Sequence, residues 1–174
     1  LLARQFEAAL AMLADCLRKC PEEHWDTPIA KYPFWQTAYH TLCFVDCYLT
    51  PSNEAFHALL AERAERRRPG EIDFQPTGIK ELEDEYPSRR FNKPELLAYL
   101  HLCRAKAREA LGDGPGAESP DTLAGPSGFS WYKVPRAELH LINLRHIQHH
   151  TGALGAALRR LGVEPRWVGS GWKE

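Results

Sequence analysis

Three histidines in this chain have the residue type and the spacing of metal ligands. His146 and His150 lie four residues apart in the segment RHIQHH, within a long helical pattern. Side chains four apart project from one face of a helix on successive turns, so two ring nitrogens can converge on one ion. At about 100° per residue, the same face carries Leu139, Leu154 and Leu161. Both imidazoles are therefore predicted to point into the core.

A third ligand is expected from a facing helix. Buried neutral histidines are costly unless each is hydrogen-bonded or binds a metal, and metal sites with solvent access usually take three protein ligands. His40 lies in the middle of the largely apolar segment 33–49, with Phe44 on its side of the helix. For His40 alone, a core histidine bonded to a backbone carbonyl is the alternative. Together with the pair at 146 and 150, it predicts a three-imidazole metal site with a position open to water or substrate.

The positions of the other histidines in the sequence predict different locations for them. His149 falls at the edge of the apolar stripe and is expected to flank the site rather than complete it. Tyr39 and Trp35, on the same helix as His40, are candidates for the pocket around the site. The remaining histidines are expected at the surface or at helix ends: His24, His57, His101 and His140.

Other metal and nucleotide sites fit the sequence less well. A di-iron carboxylate bundle needs Glu-x-x-His on two helices and a Glu from each of two others, whereas only Glu54 and His57 have that spacing. Asp46 lies about 120° around the helix from His40 and is expected to pair with an Arg of a neighbouring helix. The glycine motifs of nucleotide sites and the nucleophile elbow of hydrolases are absent from the sequence.

Four long helical patterns must position these residues. Apolar periodicity predicts main helices over 1–19, 33–49, 92–112 and 135–161. Asn92 and Glu95 form a capping box at the start of the third, and Gly162 is placed to end the fourth. No strand or hairpin pattern of any strength appears. The predicted fold class is therefore all-α, a four-helix bundle that forms a single domain over residues 1–174.

Long connections separate these helices. Residues 52–67 are expected to form a shorter helix capped by Ser52, and the segment 68–90 is expected to be an insertion loop between helices two and three. The segment 112–135 is rich in Gly, Pro and Ser and is expected to be an irregular loop; the aromatic residues at its end suggest that it covers something. The last dozen residues carry two Trp and are expected to fold back on the bundle.

Composition narrows the classes of partner. Hydrophobic residues make up 44% and charged residues 26% of the 174, which is typical of a soluble globular protein. A formal charge of −1 argues against nucleic acid or an acidic membrane surface as a partner, and no segment has the length of a membrane helix. The basic cluster 63–68 is balanced by glutamates and is expected to be solvated. Five cysteines without Cys-x-x-Cys spacing indicate reduced, buried thiols and a cytoplasmic location.

The pattern resembles the DinB/YfiT-like family of metal-binding four-helix bundles. The resembling parts are the N-terminal helix, WQTAYHTLCFVDCYL in the second helix and HIQHHTGAL in the last. Carried over position by position, the three metal ligands of the family fall on His40, His146 and His150. Relatives of known activity are S-transferases and isomerases that use low-molecular-weight thiols. The resemblance therefore implies a divalent ion, zinc or nickel, a small-molecule substrate with a thiol partner, and a homodimer.

Two functions remain open on the sequence. The first is a metal-dependent enzyme, a thiol S-transferase or a hydrolase, in which the ion lowers the pKa of a thiol or water. The second is a non-enzymatic, metal-stabilised helical bundle that acts as a binding or interaction protein. Structural zinc sites are usually closed by four protein ligands, so a fourth ligand from Cys43 or His149 would favour the second function.

Overall fold

The computed structural model describes residues 1–82 and 87–173 of the chain. In that part of the chain it contains six α-helices and no β-strand, so the all-α fold class is confirmed. The helices are α1 (Leu2–Lys19), α2 (Phe34–Tyr48), α3 (Asn53–Arg66), α4 (Lys93–Leu111), α5 (Pro120–Ala124) and α6 (Arg136–Arg160). Short 3₁₀ turns add Glu22–His24 and Gly78–Leu82.

Four long helices, α1, α2, α4 and α6, surround the main core. Both α1 and α2 pack against α4 and α6, so the four close a ring. Their bounds lie within one residue of the predicted helices, and α3 agrees equally well with the shorter helix expected over 52–67. Within the described ranges, no helix has the length and apolar character that crossing a membrane requires.

Local signals in the sequence explain where these helices begin and end. The side chain of Asn92 accepts a hydrogen bond from the Glu95 amide at 2.9 Å, and the Glu95 carboxylate accepts one from the Asn92 amide at 2.8 Å. This is the predicted capping box, which satisfies two of the free amides at the start of α4. Gly162 adopts φ 75° directly after α6, and the Val163 amide donates back to Leu158. A glycine suits this left-handed position, so α6 ends here.

The cysteines belong to the apolar packing, as predicted. All five are free thiols and all are buried. Burial raises the pKa of Cys16 to about 12 and that of Cys20 to about 11, so both stay protonated at neutral pH. A neutral buried thiol packs as a small hydrophobe.

Asp46 makes the buried polar contacts of α2, on a different face of the helix from His40. Its carboxylate is fully buried and accepts hydrogen bonds from Arg63 of α3 and from Lys106 of α4. Burial opposes ionisation, but Lys106 and Arg63 outweigh it and hold the pKa of Asp46 below its ordinary value. The predicted pairing with an Arg is confirmed. The expectation that the whole cluster 63–68 is solvated is wrong for Arg63, because Asp46 draws it inward, whereas the Arg66 side chain is 80% exposed.

The segment 68–90 is more ordered than the predicted insertion loop. Its 3₁₀ turn at Gly78–Leu82 places the Glu81 carboxylate in the interior, where it accepts hydrogen bonds from the hydroxyls of Thr77 and Ser88. The Tyr39 hydroxyl of α2 lies 2.9 Å from the same carboxylate. Residues 83–86 of this predicted loop lie outside the described residues. The buried carboxylate of Glu81 thus connects the segment to α2. Apolar periodicity in the sequence does not reveal this contact.

The segment 112–135 and the C-terminal residues also pack on the bundle. The segment contains the short helix α5, contrary to the irregular loop that was expected; Ser119 caps it by accepting from the Thr122 amide, and Pro120 occupies its first turn. A proline and a capping serine favour a helix start even in a Gly-rich segment. The C-terminal residues fold back as predicted, because Val168 is buried against α1 and Trp172 packs beside it.

The ion pair at Asp46 gives a testable consequence for stability. The change Asp46→Ala leaves Arg63 and Lys106 without their buried anion, and removal of one partner of such a group costs about 3–5 kcal/mol. We expect a loss of that size in the free energy of unfolding, measured by urea denaturation with circular dichroism. The control Glu62→Ala removes only an exposed ion pair with Arg66 and should cost less than about 0.5 kcal/mol. Equal losses in the two variants would contradict the assignment.

Candidate metal centre

His40, His146 and His150 converge on one point between α2 and α6. The Nε2 atom of His146 lies 3.1 Å from that of His40 and 3.1 Å from that of His150. One ligand atom from each ring lies within 4.8 Å of the others. Among the described residues, no second group of three or more His, Cys, Asp or Glu side chains is arranged in this way. The structure therefore brings together the three side chains singled out in the sequence.

The packing of α2 against α6 positions the three rings. His146 and His150 lie one turn apart on α6, and His40 reaches them from the middle of α2. Phe44, one turn after His40, lies with its ring centroid 4.8 Å from that of His40 and 5.2 Å from that of His146. The three histidines are half-buried, so the cluster has an apolar wall on one side and access to solvent on another.

Burial keeps the imidazoles in the form that binds a metal. It lowers the pKa of His40 to about 4, with a further contribution from His150. It also lowers the pKa of His146 to about 3 and that of His150 to about 4, and neighbouring histidines add to both shifts. All three rings are therefore neutral at pH 7. A neutral imidazole has the free lone pair that ligation requires.

Hydrogen bonds alone explain the cluster poorly, whereas one ion explains it well. The Nε2 atom of His146 has two ring nitrogens at 3.1 Å, yet it carries only one proton or one lone pair. Its Nδ1 atom is buried and has no hydrogen-bond partner among the described residues. Two nitrogens bound tetrahedrally at about 2.0–2.1 Å from one zinc ion would lie about 3.3 Å apart, close to the observed separation. The residues present therefore fit a divalent ion.

Neither residue considered as a fourth ligand joins the cluster. Cys43 is fully buried on another face of α2, where it interacts with the hydroxyls of Tyr39 and Tyr99. His149 is exposed, and its ring centroid lies 4.9 Å from that of His150. It therefore flanks the site, as predicted from its position on the helix.

The expectation that Tyr39 and Trp35 line the site is wrong. The Tyr39 hydroxyl lies 2.6 Å from the carbonyl of Phe74, on the side of α2 that faces the segment 68–90. Trp35 hydrogen-bonds the carboxylate of Asp26. Both residues share a helix with His40, but neither shares its face.

The residues that do adjoin His40 follow it at four-residue spacing. Phe44 and Tyr48 continue its stripe along α2, and the Tyr48 ring packs against Phe129 and Tyr132 of the segment 112–135. The end of the segment 112–135 therefore covers the stripe of α2 that contains His40, Phe44 and Tyr48. This agrees with the expectation that its aromatic residues cover another part of the protein. The four-residue spacing of positions 40, 44 and 48 is visible in the sequence and could have identified Phe44 and Tyr48 as the neighbours of His40.

His140 is the clearest correction to the sequence interpretation. It was expected at the surface or at a helix end, but it is fully buried, and its Nε2 atom lies 2.8 Å from the carboxylate of Glu118. The same carboxylate accepts hydrogen bonds from Arg136 at 2.7 and 3.0 Å. Burial raises the pKa of Glu118, but His140 and Arg136 outweigh burial and lower that pKa to about 2. The partner lies in the segment 112–135, so the spacing within α6 alone could not show it.

Comparison with protein families agrees with this architecture. A sequence model of the DinB superfamily matches residues 5–154, a span that contains all three clustered histidines. Searches of curated proteins and of solved structures returned no match. The family match covers most of the chain and was obtained independently of the geometry of the site.

The buried Glu118 carboxylate predicts a pH dependence of folding stability. Its pKa is 4.5 ordinarily and about 2 in the folded protein, so the folded state favours the charged form. Its contribution to the free energy of unfolding is complete above pH 4.5 and is lost as pH falls towards 2. We expect urea midpoints to fall over this window less steeply in Glu118→Gln than in the unmodified protein. The control Glu164→Gln removes an exposed carboxylate and should keep the original slope; a Glu118 variant that also keeps it would contradict the prediction.

Proposed function

The chain belongs to the DinB superfamily, and from this premise we propose that it is a metal-dependent enzyme with one divalent ion held by His40, His146 and His150. The observation that carries the proposal is the convergence of three Nε2 atoms from two helices, with spacings of 3.1 Å around His146. Three neutral imidazoles form a donor set that suits zinc and nickel. These two ions are therefore proposed as the metals.

The number of ligands supports an enzyme rather than a structural site. In the part of the chain that the structure describes, the group contains three histidines and no fourth His, Cys, Asp or Glu. Catalytic zinc sites use three protein ligands and keep a position open, whereas structural sites are closed by four. The three histidines are half-buried, so part of the cluster stays accessible to solvent. A non-enzymatic, metal-stabilised bundle is therefore the weaker candidate.

The surroundings of the cluster favour a thiol over water as the activated group. A divalent ion here would lower the pKa of a thiol or of water. A free thiol starts near pKa 8.5 and needs only a small shift to ionise at neutral pH. Water needs a far larger shift, which the ion itself must supply, and among the described residues no carboxylate belongs to the cluster to accept the proton of the water. The reaction we propose is transfer of a low-molecular-weight thiol to a small-molecule electrophile.

The chain's own residues have defined tasks in this proposal. His40 approaches from α2, and His146 and His150 approach from α6, so the packing of the two helices sets the position of the ion. Phe44 lies against two of the three rings and excludes water from that side. An apolar wall strengthens electrostatic interactions within the site, since it lowers the local dielectric. The homodimer suggested by the family resemblance stays a prediction.

Adjacent histidines of α6 provide a matched pair of variants. The change His150→Ala removes a ligand, and we expect the affinity for zinc to fall by more than about 100-fold, since loss of a mere supporting partner already costs 10–100-fold. His149→Ala removes an exposed histidine one residue away and should retain full affinity. Metal content after loading, measured by elemental analysis, reports the difference. Equal metal content in the two variants would rule out the proposed ligand set.

Melting temperatures separate the enzyme from the structural alternative. If the ion serves catalysis, metal-free unmodified protein should keep its helical circular dichroism, and His150→Ala should melt within a few degrees of it. In a structural site, the free energy of metal binding is folding free energy, so removal of the metal should unfold the bundle. A metal-free bundle that is largely unfolded would overturn the proposed catalytic role.

Cobalt substitution tests the thiol directly. We expect cysteine added to the cobalt(II)-loaded protein to give an intense sulfur-to-cobalt absorption band, because the thiol would occupy the open position. Serine, which differs from cysteine in one atom, should give no such band. His149→Ala should respond as the unmodified protein does, and His150→Ala should not respond. Absence of the band at saturating cysteine would exclude thiol activation.

A further inference from the structure

Helix α6 buries polar atoms that have no partners along the flank leading to the histidine cluster. His140, Asn143 and His146 follow each other at three-residue spacing, and the first two are fully buried. The atoms without a hydrogen-bond partner among the described residues are Nδ1 of His140, Nδ2 and Oδ1 of Asn143, and Nδ1 of His146. Buried polar atoms are nearly always hydrogen-bonded, so this group needs a physical explanation.

The spacing of these residues along α6 makes their side chains neighbours. Residues three apart on a helix are neighbours, with Cβ atoms about 5–6 Å apart. Asn143 lies three residues from each histidine, so along α6 it neighbours both. A rotation of this amide, or one ordered water on either side, can join it to both Nδ1 atoms.

Their hydrogen-bonding roles are also complementary. The Glu118 carboxylate only accepts hydrogen bonds, and it lies 2.8 Å from Nε2 of His140, so this nitrogen carries the proton. If the His140 ring carries only this proton, its Nδ1 atom is an acceptor, and the Asn143 NH₂ group can donate to it. That orientation turns Oδ1 of Asn143 towards His146, where it can accept from an Nδ1–H. In this arrangement each donor of the series would have an acceptor as its neighbour.

We propose that Asn143 is a positioning residue of the metal centre, which holds His146 in the tautomer that carries its proton on Nδ1 and leaves Nε2 free for the ion. Glu118 and His140 orient Asn143 from the other end. The inference rests on the proposed function, since it assigns Nε2 of His146 to a metal. His146 is the ring where this matters most, because its Nε2 atom is the one close to both other nitrogens.

The tautomer of His146 in the metal-free protein tests the link without any variant. Nitrogen-15 NMR distinguishes a protonated from a bare ring nitrogen. At pH 7.5 we expect His146 to be protonated at Nδ1 and bare at Nε2. Protonation chiefly at Nε2 would overturn the inference, whatever the protein's affinity for metals.

Two substitutions on α6 test the effect on zinc affinity. Partners that orient a ligating histidine typically contribute 10–100-fold to metal affinity, and we expect Asn143→Leu to lose zinc affinity by that factor. Asn143→Asp keeps an acceptor oxygen facing His146 and should lose less than about threefold in affinity, well below that range. The control Thr151→Val also removes a buried oxygen that lacks a partner on α6, but not one on this flank, and should leave affinity unchanged.

The structural alternative predicts a different pattern. If the Asn143 amide is only a buried group without partners, an apolar side chain of similar size should stabilise the fold or leave it unchanged, and zinc affinity and the His146 tautomer should not move. That result for Asn143→Leu, or an equal loss of affinity in Thr151→Val, would overturn the inference. If Asn143→Leu fails to fold, the tautomer of the unmodified protein decides.

The outcomes for the two proposals remain distinct. An unmodified protein that binds neither zinc nor cobalt refutes the proposed function, while the tautomer measurement still reports whether Asn143 engages His146. An unmodified protein that binds zinc, with Asn143→Leu binding equally well, refutes only the role of Asn143.

Discussion

The packing of α2 against α6 is the contact on which the candidate site depends. It brings His40 to within 3.1 Å of His146, although the two residues are 106 positions apart in the chain. Each ring separately could be accommodated as a core histidine with a hydrogen bond. Three neutral rings whose Nε2 atoms face one another are harder to accommodate, because neutral imidazoles without a shared proton or ion leave lone pairs opposed. A divalent cation could be held by all three rings and would satisfy this geometry.

The polar network around Asp46 holds α2 in the rotation that this contact needs. Asp46 points towards Arg63 and Lys106, and it lies about 120° around the helix from His40. If α2 rotated about its axis to remove His40 from the cluster, it would also separate a fully buried carboxylate from its cations. That separation is strongly unfavourable. Asp46 and His40 thus occupy different faces of α2, and the ion pairs of Asp46 restrain the position of His40.

The sequence predicts the parts of this structure that depend on local periodicity. Helix bounds, the capping box at Asn92 and the glycine after α6 follow from residues within a few positions of each other. The inward direction of His146 and His150 follows from a single helical period. The burial of His140 and the withdrawal of Arg63 from solvent did not follow, because their partners Glu118 and Asp46 lie 22 and 17 residues away. Such pairings depend on how the connections fold, which neither composition nor periodicity determines.

The segment 112–135 reaches the candidate site by two separate routes, although none of its residues belongs to the histidine cluster. At one end, Glu118 binds His140 on the flank of α6 that continues through Asn143 to His146. At the other end, Tyr132 packs on Tyr48, two turns after His40 on α2. One connection therefore touches both helices that supply the histidines. A shift of this segment would alter the apolar wall beside His40 through packing and, by the link proposed through Asn143, the orientation of His146. This connection is in this way coupled to the chemistry proposed for the site, without contributing a ligand.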